Sequence, residues 1–188
     1  MLQEEIQHYR NTERRHMITA KDALRHGVSS LVDGNSNDVE FVLACLHYLD
    51  YIMSRFVQQG RENTGRLREI VPEDDEEDQR TLADIENTLA RTGEQLDQLK
   101  SARKQFQSDE IDIGAFGSIC EEFLNFYNDV LARRKDPAQS IIQKHIDADT
   151  YWQQTDDVTA ESIETEQQLF GKIKQLAPDE LQFELRGQ

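Results

Sequence analysis

Five histidines and a large excess of carboxylates are the residues of this 188-residue chain whose types suit chemistry. Imidazole and carboxylate groups converging from facing helices can hold a pair of non-haem metal ions, because together they balance the metal charge where water is scarce. Candidate ligands must therefore lie on inward helix faces. At ~100° per residue, His16 falls beside the apolar stripe that contains Met17, one turn before Ala20, and is the candidate metal ligand. His8 and His26 project to the opposite side of the same segment, and His47 lies on the outer side of the next. Further along, Ile52, Phe56, Gln59 and Asn63 recur at intervals of four, three and four, a single helical stripe. Its two polar members are neutral amides, which bind iron or zinc weakly and cannot offset its charge. Gln58 and Glu62 share the four-residue interval but point away from that stripe.

Other chemistries find less support. No phosphate-binding glycine loop, dinucleotide fingerprint or paired-cysteine motif is present. Most carboxylates fall where a helix faces water, nothing marks one as a general base, and no enzymatic activity is expected. The acidic run from Glu73 to Asp78 lacks the alternating ligands and central glycine of an EF-hand, so it reads as a solvated loop passing into the first turn of a helix. Cys45 and Cys120 sit within apolar runs and read as buried core residues of a reduced compartment.

The elements that position these residues are helices. Three prolines and nine glycines are few, and straight-chain residues that lose little rotamer freedom in a helix are plentiful. Met17, Leu24, Val28 and Leu31 define one face of a first helix over about 2–32, with a break allowed near Asn11 and Thr12 and a stop at Asp33-Gly34-Asn35. Asn37 and Glu40 form a capping-box pattern that opens a second helix, which carries Val39, Val42, Leu46, Leu49, Met53 and Phe56 and ends before Pro72. A third helix spans about 79–106, with Leu82, Ile85, Leu89, Leu96 and Leu99 inward and polar Thr92 filling one step. A fourth spans about 113–135, with Phe116, Ile119, Phe123, Phe126 and Val130 on one face. Asp136-Pro137 breaks it. A short helix over 138–146 and a final amphipathic segment after Thr159 are expected to cap the bundle.

The expectation is one all-α domain over 1–188: an up-down-up-down four-helix bundle over about 1–136 with extra C-terminal helices over about 137–188. A net charge of −16 disfavours nucleic acid and anionic membrane as partners. The amino-terminal residues include no apolar signal region, and no apolar run approaches the ~20 residues of a membrane-spanning helix, so a cytoplasmic protein is expected.

The run Gln58-Gln59-Gly60-Arg61-Glu62-Asn63 resembles the His-His-Gly-Lys-Glu-Glu run that closes the second helix of hemerythrin-like (HHE cation-binding) bundles. The segment Ile141 to Ile146, followed by Tyr151-Trp152, is similar to the family's ending, and the resemblance covers roughly 14–152. It implies a hemerythrin-like bundle whose metal ligands have largely been replaced. The helix-two His and Glu positions fall on Gln59 and Asn63, and the helix-three pair on Ile85 and Leu89. The helix-four pair falls on Val130 and on Arg134 or Lys135, where a cation stands for an anion. Only His16 survives. The resemblance thus implies a metal-free binding or regulatory module with no cofactor. The alternative is a non-haem di-iron protein, built on His16, for oxygen, nitric oxide or iron sensing or storage. Its partner is an unidentified protein or a small molecule seated between helices where Ala20, Ala23 and Gly27 leave room. A homodimer through the tail helix is allowed but no residue demands it.

Overall fold

The computed structural model describes residues 3–35, 38–131, 137–146 and 158–181. Every regular element among them is helical: α1 (Gln3–Val32), α2 (Val39–Ile70), α3 (Glu76–Gln107), α4 (Ile113–Phe126), α5 (Ala138–His145) and α6 (Ala160–Leu176). The last turns of α4 widen into a π-helical stretch, Tyr127–Leu131. Among the described residues no helix is long and apolar enough to cross a membrane.

Side-chain contacts give the directions of the helices. Asp50 of α2 meets Lys100 and Arg103 of α3, while Arg68 further along α2 meets Glu86 nearer the start of α3, so the two run antiparallel. Glu13 with Arg55, and Gly27 with Val42, set the same relation between α1 and α2. Phe106 stacks on Phe116 at 4.3 Å and Arg91 lies over Phe126, which makes α3 and α4 antiparallel. Lys21 donates to Asn128 at 2.8 Å, and Gly117 abuts Val28 and Val32, so α4 returns along α1. Four antiparallel neighbours thus close a bundle.

The apolar stripes read from the sequence form its core. Leu24, Leu31, Val42, Leu46, Phe116 and Cys120 are all essentially excluded from solvent in one cluster. Burial pushes the Cys120 thiol up to about 12, and the Cys45 thiol also upward. Both cysteines are free.

Local signals account for the helix ends, with some differences from expectation. The α1 helix stops as expected: Gly34 takes a φ of +97°, and its amide donates to the Leu31 carbonyl. No break occurs at Asn11 or Thr12: α1 is continuous, and the Thr12 hydroxyl is accommodated within it by donating to the His8 carbonyl. Of the pattern expected to cap α2, Asn37 lies outside the described residues, and Asp38 stands at the cap with its side chain accepting from the Asn35 side-chain amide rather than from the helix's own amides. Asp75 caps α3 by accepting from the Asp78 amide, and Asp112 caps α4 by accepting from Ala115. Thr159 and Ser162 form a reciprocal capping box on α6.

Of the two C-terminal helices expected to cap the bundle, only α5 covers an end. Tyr48 and Tyr51 of α2 meet Glu166 and Ser162, and His16 and His26 of α1 meet Glu166 and Glu180. Helix α6 therefore lies lengthwise in the groove between α1 and α2 and does not cover an end. Helix α5 does sit at an end, where Ile141 and Ile142 join Leu67, Val71 and Leu82 in a second apolar cluster.

Two glycines allow close helix approach. A Cβ at Gly27 would stand 2.7 Å from Val42 Cγ2, and one at Gly60 2.5 Å from Leu89 Cδ2. Val42 is β-branched and wholly buried, with no rotamer to yield into, whereas the Leu89 tip borders open space between the helices. Gly27→Ala is expected to lower stability by about 1–3 kcal/mol through overpacking. Gly60→Ala should fall within about 1 kcal/mol of the parent, because helix propensity offsets a small shift of Leu89. Urea unfolding of the two variants checks the difference; equal costs would refute this account of the α1–α2 contact.

Candidate functional site

The open space beside Gly60 is a cavity of about 580 Å³ at the end of the bundle where α1 begins and α2 ends. Its floor is apolar and buried: Ile52, Met53, Leu67 and Leu89 line it, and Tyr127 closes one side with its hydroxyl 3.8 Å from the Met17 sulfur. The stripe predicted from the sequence contributes Ile52, Phe56, Gln59 and Asn63 to the wall, with the two amides half-buried. Ile85 and Leu89 line the facing side from α3. Three arginines, Arg10, Arg14 and Arg55, also reach the cavity from α1 and α2, together with one carboxylate, Glu13. Glu13 accepts from Arg55 at 2.7 Å and from the Tyr9 hydroxyl at 3.0 Å, so its charge is compensated within the wall. Burial, and then the neighbouring Glu13, push the Tyr9 phenol far above its ordinary value.

His16 is not part of this wall. Its Nδ1 lies 2.8 Å from Oε1 of Glu166, and its ring stacks on Phe170 with centroids 3.8 Å apart, so it faces α6. The Tyr48 hydroxyl donates to the same Oε1 at 2.8 Å. Glu166 is completely buried, and its second oxygen, Oε2, has no hydrogen-bond partner among the described residues. Burial, and then the adjacent Glu166, raise the Tyr48 phenol far above its ordinary value, which keeps it a donor. Among the described residues His16 belongs to no group of three or more metal-ligating side chains. The Glu-x-x-His spacing of carboxylate-bridged metal sites occurs at Glu5 to His8 and at Glu13 to His16. Here His8 is exposed, and Glu13 and His16 face different partners.

A second cluster lies where α5 meets the start of α3. Asp75, Asp78 and His145 present ligand-type atoms within 4.8 Å of one another. Lys144 occupies the same place: its ammonium bonds both Asp75 and Asp78, while His145 Nε2 lies 2.7 Å from Asp78. A lysine at the shared oxygens supplies the positive charge that a cation would otherwise bring, so the cluster reads as a clamp for α5. The acidic run is thus not a wholly solvated loop, because Asp75 is half-buried and Asp78 buried.

The histidines set aside in the sequence lie outside these sites: His47 is exposed, and His26 pairs with exposed Glu180 at 3.5 Å. Glu62 is exposed. Val130 is half-buried in the π-helical stretch, and Arg134, Lys135, Tyr151 and Trp152 lie outside the described residues. The small residues Ala20, Ala23 and Gly27 leave no room, since all three are buried in close helix contact. Sequence reasoning missed Glu166, although its position between Ile163 and Phe170 placed a carboxylate on the apolar stripe of α6. It also missed Arg10 and Arg14, which share a stripe with Met17 at intervals of four and three.

Compared with known proteins, the chain matches no protein-family model, no curated protein and no solved structure.

Two outcomes follow from this geometry. Tyr48→Phe removes a donor from a buried carboxyl group and should cost about 1–3 kcal/mol, a cost expected to vanish in a Glu166→Leu background where no carboxyl oxygen remains to lose its donor. A double-mutant cycle on unfolding free energies reads that coupling directly. Hydrogen bonds from Lys144, and then His145, hold the Asp78 carboxyl below the usual carboxylate value. With the folded value below the unfolded one, the stabilisation it brings is complete above about pH 4 and is lost as pH falls through the lowered value. In Lys144→Ala the Asp78 titration midpoint should move upward by NMR; an unmoved midpoint would show that the clamp is not what depresses it.

Proposed function

We propose that this protein is a metal-free, hemerythrin-like four-helix bundle that binds a small organic molecule in its interior. One observation carries the reading: the four ligand positions that the family resemblance assigns to α2 and α3 all line a single cavity, and none bears a charged ligand. Gln59 and Asn63 supply hydrogen-bonding groups, while Ile85 and Leu89 supply apolar surface. A concave, mostly apolar space with a few convergent polar groups is the usual form of a ligand site, and the volume here lies within the ~300–1,000 Å³ typical of such sites.

The remaining candidate ligand, His16, supports the same reading because it is engaged with Glu166 and Phe170 on the flank of the bundle. A metal ion in the cavity would have Glu13 beside it as anion and three arginine side chains around it. Those guanidinium groups repel a cation.

Protein purified from iron-replete cells is expected to contain no stoichiometric iron by elemental mass spectrometry; two irons per chain would overturn the metal-free reading. The neutral dye Nile red is expected to bind with saturation at one site per chain. Asn63→Phe, which places a bulky ring in the cavity, should weaken that binding at least about tenfold while the circular dichroism of the helices is retained. Unsaturable dye uptake, or uptake indifferent to Asn63→Phe, would count against a cavity ligand.

A further inference from the structure

We infer that the cavity selects an amphipathic organic monoanion, a carboxylate joined to a hydrocarbon body, with its headgroup held at the Arg14 rim. The inference rests on the reading of the cavity as a ligand site and specifies the ligand's class.

The wall is graded from charged to apolar. Arg14 is exposed, and among the described residues it makes no hydrogen bond or ion pair. Arg10 stands one turn earlier on the same face of α1 and adds positive charge to the rim. One turn deeper the lining becomes Met17, and beyond it the buried Ile52 and Met53. A ligand lying along this gradient meets a cation at one end and hydrocarbon at the other. The single acidic residue of the lining does not cancel the field, because Glu13 is bonded to Arg55 and to Tyr9.

Charge and shape both narrow the class. A chain of net charge −16 repels multiply charged anions at long range more strongly than singly charged ones, and with Arg55 paired to Glu13 the opening offers Arg14 to a single negative charge. A guanidinium group offers a planar pair of donors that matches the two oxygens of a carboxylate. Neutral Gln59 and Asn63 can complete the hydrogen bonds of such a headgroup without adding charge. The buried floor offers no ionic partner, so the rest of the ligand has to be apolar.

Titration calorimetry of the full chain with dodecanoate, dodecanol and dodecylamine tests this. Dodecanoate is expected to bind at one site at least about tenfold more tightly than dodecanol, and dodecylamine more weakly than either. Arg14→Gln should reduce dodecanoate affinity about tenfold and leave dodecanol unchanged, which separates loss of the headgroup contact from loss of the fold. If dodecanol binds as tightly as dodecanoate, or Arg14→Gln weakens both equally, the assignment of an anion is overturned while the cavity remains a ligand site. If none of the three binds and Nile red also fails, both the anion assignment and the cavity reading fall.

Discussion

Helix α2 has to satisfy neighbours on several sides at once, and the rest of the molecule follows from how it does so. It packs against α1, α3 and α6 along its length and touches α5 near its end. A helix so surrounded cannot keep a wide polar face, and between Phe41 and Met53 only His47 and a few half-buried positions face water. The intimate approach of α1 is set by Gly27, where Phe41 and Val42 occupy the space a side chain would need. With that contact fixed, the antiparallel order of the other helices is the compact way to cover the remaining apolar faces.

The burial of α2 continues to its middle and then relaxes. Past Met53 the side facing α3 carries half-buried Gln59, Gly60 and Asn63, with exposed Phe56 at the edge, and the helices around them no longer fill the space. Small and polar side chains leave volume, and volume lined by apolar groups is costly unless something occupies it. Arginines at the rim and hydrocarbon at the floor make that volume directional. The same end of the bundle is braced from outside by α5, whose isoleucines cover Leu67 and Leu82 and whose Lys144 and His145 grip the first turn of α3. The brace and the cavity wall meet at Pro137 and Ala138, so the position of α5 bears directly on the opening.

Glu166 shows a different use of a buried polar group. A carboxyl group with no solvent exposure costs free energy that hydrophobic replacement would avoid, and it persists where partners satisfy it. Tyr48 from α2 and His16 from α1 converge on one of its oxygens, so the residue ties α6 to both helices in a single register. An apolar seam alone would hold α6 in the groove while permitting it to slide by a turn. The polar contact removes that freedom.

Helix existence, helix length and the inward stripes were legible in the chain because a period of 3.6 residues is a local property, and a residue's face follows from its neighbours three and four away. The inward placement of Gln59, Asn63, Ile85 and Leu89, and the outward placement of His8, His47 and Glu62, were readable for that reason. Which inward residues meet is not local. The partner of His16 lies 150 positions away on a helix whose docking groove exists only after α1 and α2 have paired. The clamp of Asp75 and Asp78 needed α5 to fold back across the start of α3, and the acidic run alone carried no sign of it. The cavity, too, arises where the bundle helices fail to fill the space between them, a property of packed volume that no single stripe encodes.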